Sequence, residues 1–272
     1  YQPWLFHDGP GEHPLTQEYI YRRNHDNAVP ATYNFEPRYA PESMPYACCE
    51  MMGGMMCSYN YRFQMDMRAI DALANTKLGS GCNLLGYYMY KGGTNPTGAR
   101  TPYLNESQVS KISYDYQAAL GEFGQVRKSY GRLKTLHLFC QTFADVLAEA
   151  KTVLPEHMHD LQPDDLGPLR WCVRVNGDEG FLFVNNFQDH IAMADRRDET
   201  VTLALPSGDA TFRFSIAAGE NAVLPFGVML GNVRLDWATA MPMTHIDDTW
   251  FCLAPDGMKP VYCIGGVEYA PE

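Results

Sequence analysis

Two short apolar runs in the first half of the chain end in polar residues and glycines. Ala47–Cys49 leads directly into Glu50 and then a glycine pair, Gly53-Gly54. The second run, residues 82–90, is nearly continuous and is followed by Gly92-Gly-Thr-Asn95. Continuous apolar runs bounded by turn residues are typical of parallel strands buried on both faces. We therefore predict two parallel strands, each with a functional loop at its C-terminal end.

Helical spacing of apolar residues follows each predicted strand. Residues 66–78 carry apolar side chains at three- and four-residue steps, with Gly79 as a C-cap. Residues 122–150 show the same spacing over a longer stretch, which Pro155 ends. An order of strand, helix, strand and helix is typical of a (β/α)8 TIM barrel, where chemistry lies at the C-terminal ends of the strands. Two strands can form only the C-terminal portion of such a barrel.

The pattern changes to alternation after Pro163. Apolar residues at every second position run from Leu169 to Val175, and Asn176-Gly177 is a hairpin signal. Further strands are predicted over residues 181–184, 201–205 and 212–216. Short strands separated by turns favour a β-sandwich. We expect a barrel part over residues 1–155 and a β-sandwich domain over residues 165–272.

Composition and charge exclude several classes of partner. The chain has 272 residues and a net charge of −11, so it gains nothing from phosphate neutralisation and we expect no nucleic-acid partner. No apolar run approaches the roughly 18 residues of a membrane span, and we expect no membrane partner. The first residues, Tyr1–Phe6, have the pattern of a domain interior, so we expect the N-terminus to be a cut.

The eight cysteines include no Cys-x-x-Cys pair. A zinc site is therefore not expected, and we predict no metal and no cofactor. Most of the cysteines sit inside apolar runs, where they behave as small hydrophobic residues. Free thiols favour a reducing compartment, which points to the cytoplasm.

Glu50 is the main candidate for chemistry. A carboxylate just after a buried strand would lie at a barrel mouth, where it could attack an anomeric carbon. The alternative is an exposed glutamate that opens a loop. Gly92-Gly-Thr-Asn95 could let a substrate approach the backbone, or could be a tight turn. Gly79-Ser-Gly81 follows a helix and precedes a strand, the reverse of a phosphate loop. His157 and His159 lack a nearby third metal ligand.

Three motifs resemble glycoside hydrolase family 35, the β-galactosidases. They are Glu50-Met-Met-Gly-Gly-Met55, Tyr88-Met-Tyr-Lys-Gly-Gly-Thr-Asn95 and Ser113-Tyr-Asp-Tyr116, and they occur in the family's order and at about its spacing. The resemblance runs from about residue 44 to residue 135. It implies that Glu50 is the nucleophile at the end of barrel strand seven. It also implies that Tyr88, Tyr116 and Asn95 belong to the substrate site.

The sequence departs from the family pattern in two respects. Met51 and Met52 stand where many members have an aromatic residue soon after the nucleophile, which leaves the aglycone preference open. The family's acid/base is the glutamate of an Asn-Glu pair in barrel strand four, and only 49 residues precede Glu50. Asn105-Glu106 has this dipeptide after strand eight, and we expect no role for it. The acid/base is therefore expected upstream of Tyr1.

The resemblance implies a retaining glycoside hydrolase that releases terminal β-linked galactose from oligo- or polysaccharides. We expect the 272-residue chain to be inactive alone, because its acid/base partner would be missing. Two alternatives stay open: a non-catalytic carbohydrate-binding protein, and the same mechanism on another β-glycoside such as a β-glucosaminide. The sequence says nothing about the oligomeric state.

Overall fold

The computed structural model describes residues 15–23, 43–57, 62–100 and 112–271. Its α-helices are α1 (Arg68–Gly79), α2 (Lys128–Thr142) and α3 (Ala144–Glu149). Short 3-10 helices cover Gln17–Tyr19 and Glu156–Met158. Strands account for most of the remaining regular structure.

The first half contains the predicted parallel pair. Strand β1 (Tyr46–Met52) lies beside β2 (Cys82–Tyr88) in parallel register, and α1 connects them. Two very short strands follow, β3 (Gly93–Thr94) and β4 (Ser113–Tyr114), which pair antiparallel. Within the described residues no third strand joins β1 and β2. A strand–helix–strand unit of this kind is compatible with part of a barrel, and the barrel itself remains an expectation.

The prediction of one long helix over residues 122–150 is wrong in its extent. Helix α2 begins only at Lys128, because Gly124 adopts a left-handed φ of 85° and Leu120 and Val126 form an antiparallel bridge. At Phe143 the backbone leaves the helical region, with φ −115° and ψ 28°, and α3 starts anew. Apolar spacing continues across both interruptions, so the pattern alone did not reveal them.

The second half is built around one antiparallel seven-stranded sheet. Its strands lie in the order β17 (Val267–Tyr269), β16 (Tyr262–Ile264), β13 (Trp237–Ala238), β10 (Asn221–Phe226), β7 (Glu179–Asn185), β6 (Arg170–Asn176) and β5 (Lys151–Val153). The hairpin at Asn176-Gly177 is confirmed, since Asn176 pairs with Glu179 across a two-residue turn. Three two-stranded ribbons lie outside this sheet: β8 (Arg196–Leu203) with β9 (Ala210–Ile216), β11 (Met229–Leu230) with β12 (Val233–Arg234), and β14 (Met241–Ile246) with β15 (Thr249–Leu253).

The two faces of this sheet are covered by different elements. The β8–β9 ribbon shares one apolar cluster with β6, β7 and β10, which includes Leu182, Phe212 and Leu224. The other face belongs to a cluster that also contains residues of α1 and α2, such as Ile70 and Phe139. Strand β5 lies before the expected boundary at residue 155 and pairs with β6. The division into two domains and the β-sandwich assignment stay predictions.

Strand β6 has a buried polar face that the alternating pattern did not predict. Arg174 is 2% exposed and donates to the carbonyl oxygens of Leu78, Ala150 and Leu147. These carbonyls lie at or just past the C-terminal ends of α1 and α3, where unpaired helix carbonyls favour a cation. Burial lowers the pKa of Arg174. A guanidinium thus joins two helix ends to the sheet without a carboxylate partner among these contacts.

Helix α1 lies between the β1–β2 pair and the sheet, and ten of its twelve residues are buried. The polar side chains of α1 form hydrogen bonds with the elements that pack against the helix. The side-chain amide of Asn75 donates to the carbonyl of Ala222 over 3.0 Å and accepts from the hydroxyl of Tyr21 over 2.5 Å. The Asn185 amide donates to the hydroxyl of Thr76. Because buried polar groups must be paired, these bonds fix one register between helix and sheet.

The eight cysteines all lie among the described residues, and each is a free thiol. No helix in the described ranges is long and apolar enough to cross a membrane.

Candidate active site

The C-terminal ends of β1 and β2 lie at the same edge of the parallel pair. Cys48 is aligned with Leu85 and Met51 with Tyr87, so β1 advances three residues while β2 advances two. The extra residue forms an irregularity at Cys49–Glu50. Bulges of this kind occur near active sites because they re-aim a side chain. Glu50 is exposed, whereas the next two residues of β1 are buried.

Three tyrosines form a cluster beside this edge. Tyr88 ends β2, and its ring centroid lies 5.4 Å from that of Tyr116 and 6.3 Å from that of Tyr114. The rings of Tyr114 and Tyr116 are 4.6 Å apart, and a hydrogen bond joins the hydroxyls of Tyr88 and Tyr114. The Tyr116 hydroxyl donates to the sulfur of Met56 over 3.4 Å. Two residues expected in the substrate site, Tyr88 and Tyr116, are thus in edge-to-face contact.

A tight turn presents Tyr116 to the cluster. Tyr116 and Gln117 both adopt left-handed backbone conformations, with φ of 57° and 50°, which non-glycine residues seldom do. Asp115 holds the turn: its carboxylate accepts from the Gln117 amide over 3.2 Å and from the Glu122 amide over 2.7 Å. Arg127 pairs with Asp115 at 2.6 Å and also donates to the carbonyl of Ala118. These bonds offset the backbone cost of the turn.

The glycine pair after β1 is explained by backbone contacts. A Cβ at Gly53 would lie 2.6 Å from the carbonyl oxygen of Met89, and one at Gly54 would lie 2.2 Å from that of Tyr116. Both distances are shorter than real Cβ contacts, so only glycine fits without a shift of the main chain. The segment that leaves Glu50 therefore packs directly on the end of β2 and on the Tyr116 turn.

The motif Gly92-Gly-Thr-Asn95 pairs with the motif Ser113-Tyr-Asp-Tyr116 through β3 and β4. A Cβ at Gly92 would lie 2.6 Å from the carbonyl oxygen of Asp115, whereas one at Gly93 would meet open space. The main-chain amide of Asn95 donates to the carbonyl of Ile112 over 2.9 Å. Gly92 therefore serves backbone packing within the protein. The role of the Asn95 side chain stays a prediction.

The opposite face of β2 carries a separate polar pair. A hydrogen bond of 2.7 Å joins the Tyr87 hydroxyl to Nε2 of His137 on α2, beside a cavity of about 400 Å³. Burial raises the pKa of Tyr87 and lowers that of His137. Because successive side chains of a strand point to opposite faces, Tyr87 does not belong to the cluster around Tyr88.

The family model for glycosyl hydrolases family 35 matches residues 6–139. This segment of the chain belongs to glycosyl hydrolase family 35. It contains β1 to β4, the tyrosine cluster and most of α2, and it ends before the seven-stranded sheet. The family is one of glycoside hydrolases, which act on carbohydrate substrates.

Other candidates lie apart from the family 35 motifs. Asn105-Glu106 falls outside the described residues. His157 bonds through Nε2 to the carbonyl of Leu169, and no group of three or more metal-binding side chains occurs among the residues described. Gly79 faces Cys172 and Tyr21, so it serves packing between α1 and the sheet.

The sequence did not single out Tyr114, Gln117 or the Asp115–Arg127 pair. Tyr114 lies inside a motif that was recognised, so its proximity to Tyr88 was the missing information. Gln117 follows that motif directly, and only the left-handed turn shows that its side chain points back to the segment after Glu50. An Asp two residues before a bonded amide is an Asx-turn pattern, which is a usable local signal.

Proposed function

We propose that this chain carries the nucleophile of a retaining β-galactosidase, Glu50, together with part of its sugar site, Tyr88, Tyr116 and Asn95. The observation that carries the proposal is the position of an exposed carboxylate in a bulge at the C-terminal edge of two parallel strands. A cluster of three tyrosines lies at the same edge, within the segment that belongs to family 35.

Glu50 would attack the anomeric carbon and form a covalent glycosyl-enzyme, which water then hydrolyses. A second carboxyl group, about 5–5.5 Å away, protonates the leaving oxygen and later activates the water in such a mechanism. Both steps are carboxylate attack and proton transfer, for which no metal or cofactor is required. The acid/base is not among the residues that we assign to the site.

The tyrosines supply flat rings and hydroxyl groups that suit a pyranose. The Tyr116 hydroxyl donates to a thioether sulfur, which is a weak acceptor. Exchange of this bond for one to a sugar hydroxyl therefore costs little. The ring contacts with Tyr88 and Tyr114 limit the motion of Tyr116, so less conformational entropy is lost when substrate binds.

The test is covalent trapping with a 2-deoxy-2-fluoro-β-galactoside that carries a dinitrophenyl leaving group. This leaving group departs without a proton donor, so the experiment reports on the nucleophile independently of the acid/base. Mass spectrometry of the full-length protein should find the label on the peptide that contains Glu50. Glu50→Gln should remove the label, and Glu156→Gln, a remote substitution, should not.

Label on a different carboxylate would overturn the assignment of Glu50. Faster trapping by the corresponding 2-deoxy-2-fluoro-β-glucoside, which differs at O4, than by the galactoside would overturn the sugar assignment and leave the nucleophile in place.

A further inference from the structure

The side chain of Gln117 bonds to both ends of the segment that follows Glu50. The Oε1 atom of Gln117 accepts from the Met65 amide over 3.0 Å. Its Nε2 atom donates to the carbonyls of Met55 and Phe63, each over 3.2 Å. The side-chain amide of Gln117 thus joins Met55 to Phe63 and Met65. The Cys57 thiol, which donates to the carbonyl of Phe63 over 3.5 Å, adds a second bond across this segment.

The same residue belongs to the turn that presents Tyr116. The main-chain amide of Gln117 donates to the Asp115 carboxylate, and the residue adopts a left-handed φ of 50°. On one side the turn fixes Tyr116 against Tyr88, and on the other it holds the main chain that leaves β1. Gly54, which packs on the carbonyl of Tyr116, brings the two backbones into contact.

We propose that Gln117 is a positioning residue, which holds the segment after Glu50 at a fixed distance from the Tyr116 turn. The inference rests on the proposed function, since it assigns a role in the geometry of attack by Glu50. A shift of about 1 Å between nucleophile and bound sugar can cost about 100-fold in rate. The bonds of Gln117 act on this distance, because Met55 lies five residues after Glu50.

The Asp115–Arg127 pair supports the turn independently of Gln117. Loss of the Gln117 side-chain bonds therefore frees mainly the segment after β1, which includes Met56, while the ring contacts among the three tyrosines remain. Binding of the sugar ring should change little, whereas the rate of attack should fall. We therefore expect substitutions of Gln117 to lower the trapping rate while the affinity for the inhibitor changes little.

The experiment compares Gln117→Met with Gln188→Met in the trapping assay on the full-length protein. Gln188 is the control: its side-chain amide donates to the carbonyl of Thr16 and accepts from the guanidinium of Arg170, far along the chain from the family 35 motifs. Both substitutions remove amide hydrogen bonds and lower thermal stability. Only Gln117→Met should lower the first-order trapping rate, by about 10-fold or more, with the inhibitor constant changed less than about 3-fold.

Gln117→Glu is the second variant, because it keeps the acceptor for the Met65 amide and loses the two donor bonds. It should slow trapping in the same way even if Gln117→Met folds poorly. Trapping at the wild-type rate in Gln117→Glu, or an equal loss in Gln188→Met, would overturn the positioning role while Glu50 stands as nucleophile. Absence of any label on wild-type Glu50 would overturn the proposed function, and this inference with it.

Discussion

The β1–β2 pair and the seven-stranded sheet differ in how their faces are covered. Among the described residues, β7 is buried along six of its seven positions, with α1 on one side and the β8–β9 ribbon on the other. In β1 and β2, by contrast, Ala47, Cys49 and Leu84 are exposed. Apolar strands of parallel sheets normally have both faces covered. We therefore expect stability to be concentrated in the sheet and α1, and the candidate chemistry to lie at the less covered strand pair.

The largest expected effect is a loss of core packing in the sheet. Phe181 is fully buried, and its ring meets those of Phe139 and Phe143 at centroid distances of 4.8 and 5.2 Å. Phe181→Ala should lower the free energy of unfolding by about 3–5 kcal/mol, since a cavity remains between sheet and helix. Leu84→Ala, at a side chain that is 56% exposed, should cost less than about 0.5 kcal/mol. Urea unfolding measures both free energies, and equal losses would show that the sheet core contributes no more to stability than the exposed face of β2.

A smaller but still large effect is expected where α1 and α2 meet the sheet. Arg132 on α2 pairs with Asp71 of α1 at 2.7 Å and with Glu220, just before β10, at 2.9 Å. Burial raises the pKa of Asp71 although Arg132 and Asn221 donate to its carboxylate. Arg132→Met leaves two buried carboxylates without their cation, and should cost about 3 kcal/mol in denaturant unfolding.

The control for this substitution is Arg213→Met, at an exposed position of β9. Its cost should be within about 0.5 kcal/mol. If Arg132→Met is as mild as the control, the ion pairs do not contribute to the junction between helices and sheet.

The smallest expected effect concerns pH. Asp189, after β7, is 2% exposed, and burial raises its pKa to about 6. The folded state therefore holds the proton of Asp189 more tightly than the unfolded state does. Proton binding at Asp189 stabilises the fold at low pH, and this contribution is lost as the pH rises through about 6. The Asp189→Asn variant has no carboxyl group at this position, so its unfolding free energy does not fall as the wild-type value does. The variant should therefore gain about 1–3 kcal/mol of unfolding free energy relative to wild type between pH 4 and pH 8.

Nearby charges belong to the same measurement. The imidazole Nε2 of His190 lies 3.7 Å from the Asp189 carboxylate, and the ion pair of Asp66 and Arg68 lines the same cavity. Chemical unfolding at several pH values measures the difference between variant and wild type. If unfolding free energy depends on pH in the same way in the variant and in wild type, Asp189 does not titrate differently in the folded state.

Much of the local structure could be predicted from the sequence. The runs around residues 47 and 82 became β1 and β2, the spacing over 66–78 became α1, and Asn176-Gly177 formed its hairpin. The start of α2 and the break at Phe143 could not be predicted, because apolar spacing continues across both. The burial of Arg174 was also missed, since helix carbonyls from distant parts of the chain replace the usual carboxylate partner.

The parallel strands, the family 35 motifs and the candidate Glu50 could all be identified from the order of the residues. These are local features, set by side-chain periodicity, glycine and residue order. The folded chain was needed to show that Glu50 lies in a bulge, that Tyr114 joins Tyr88 and Tyr116, and that Gln117 bonds to the segment after β1. Such contacts depend on backbone conformations and on partners tens of residues away. They arise when buried polar groups find their bonds in the folded chain.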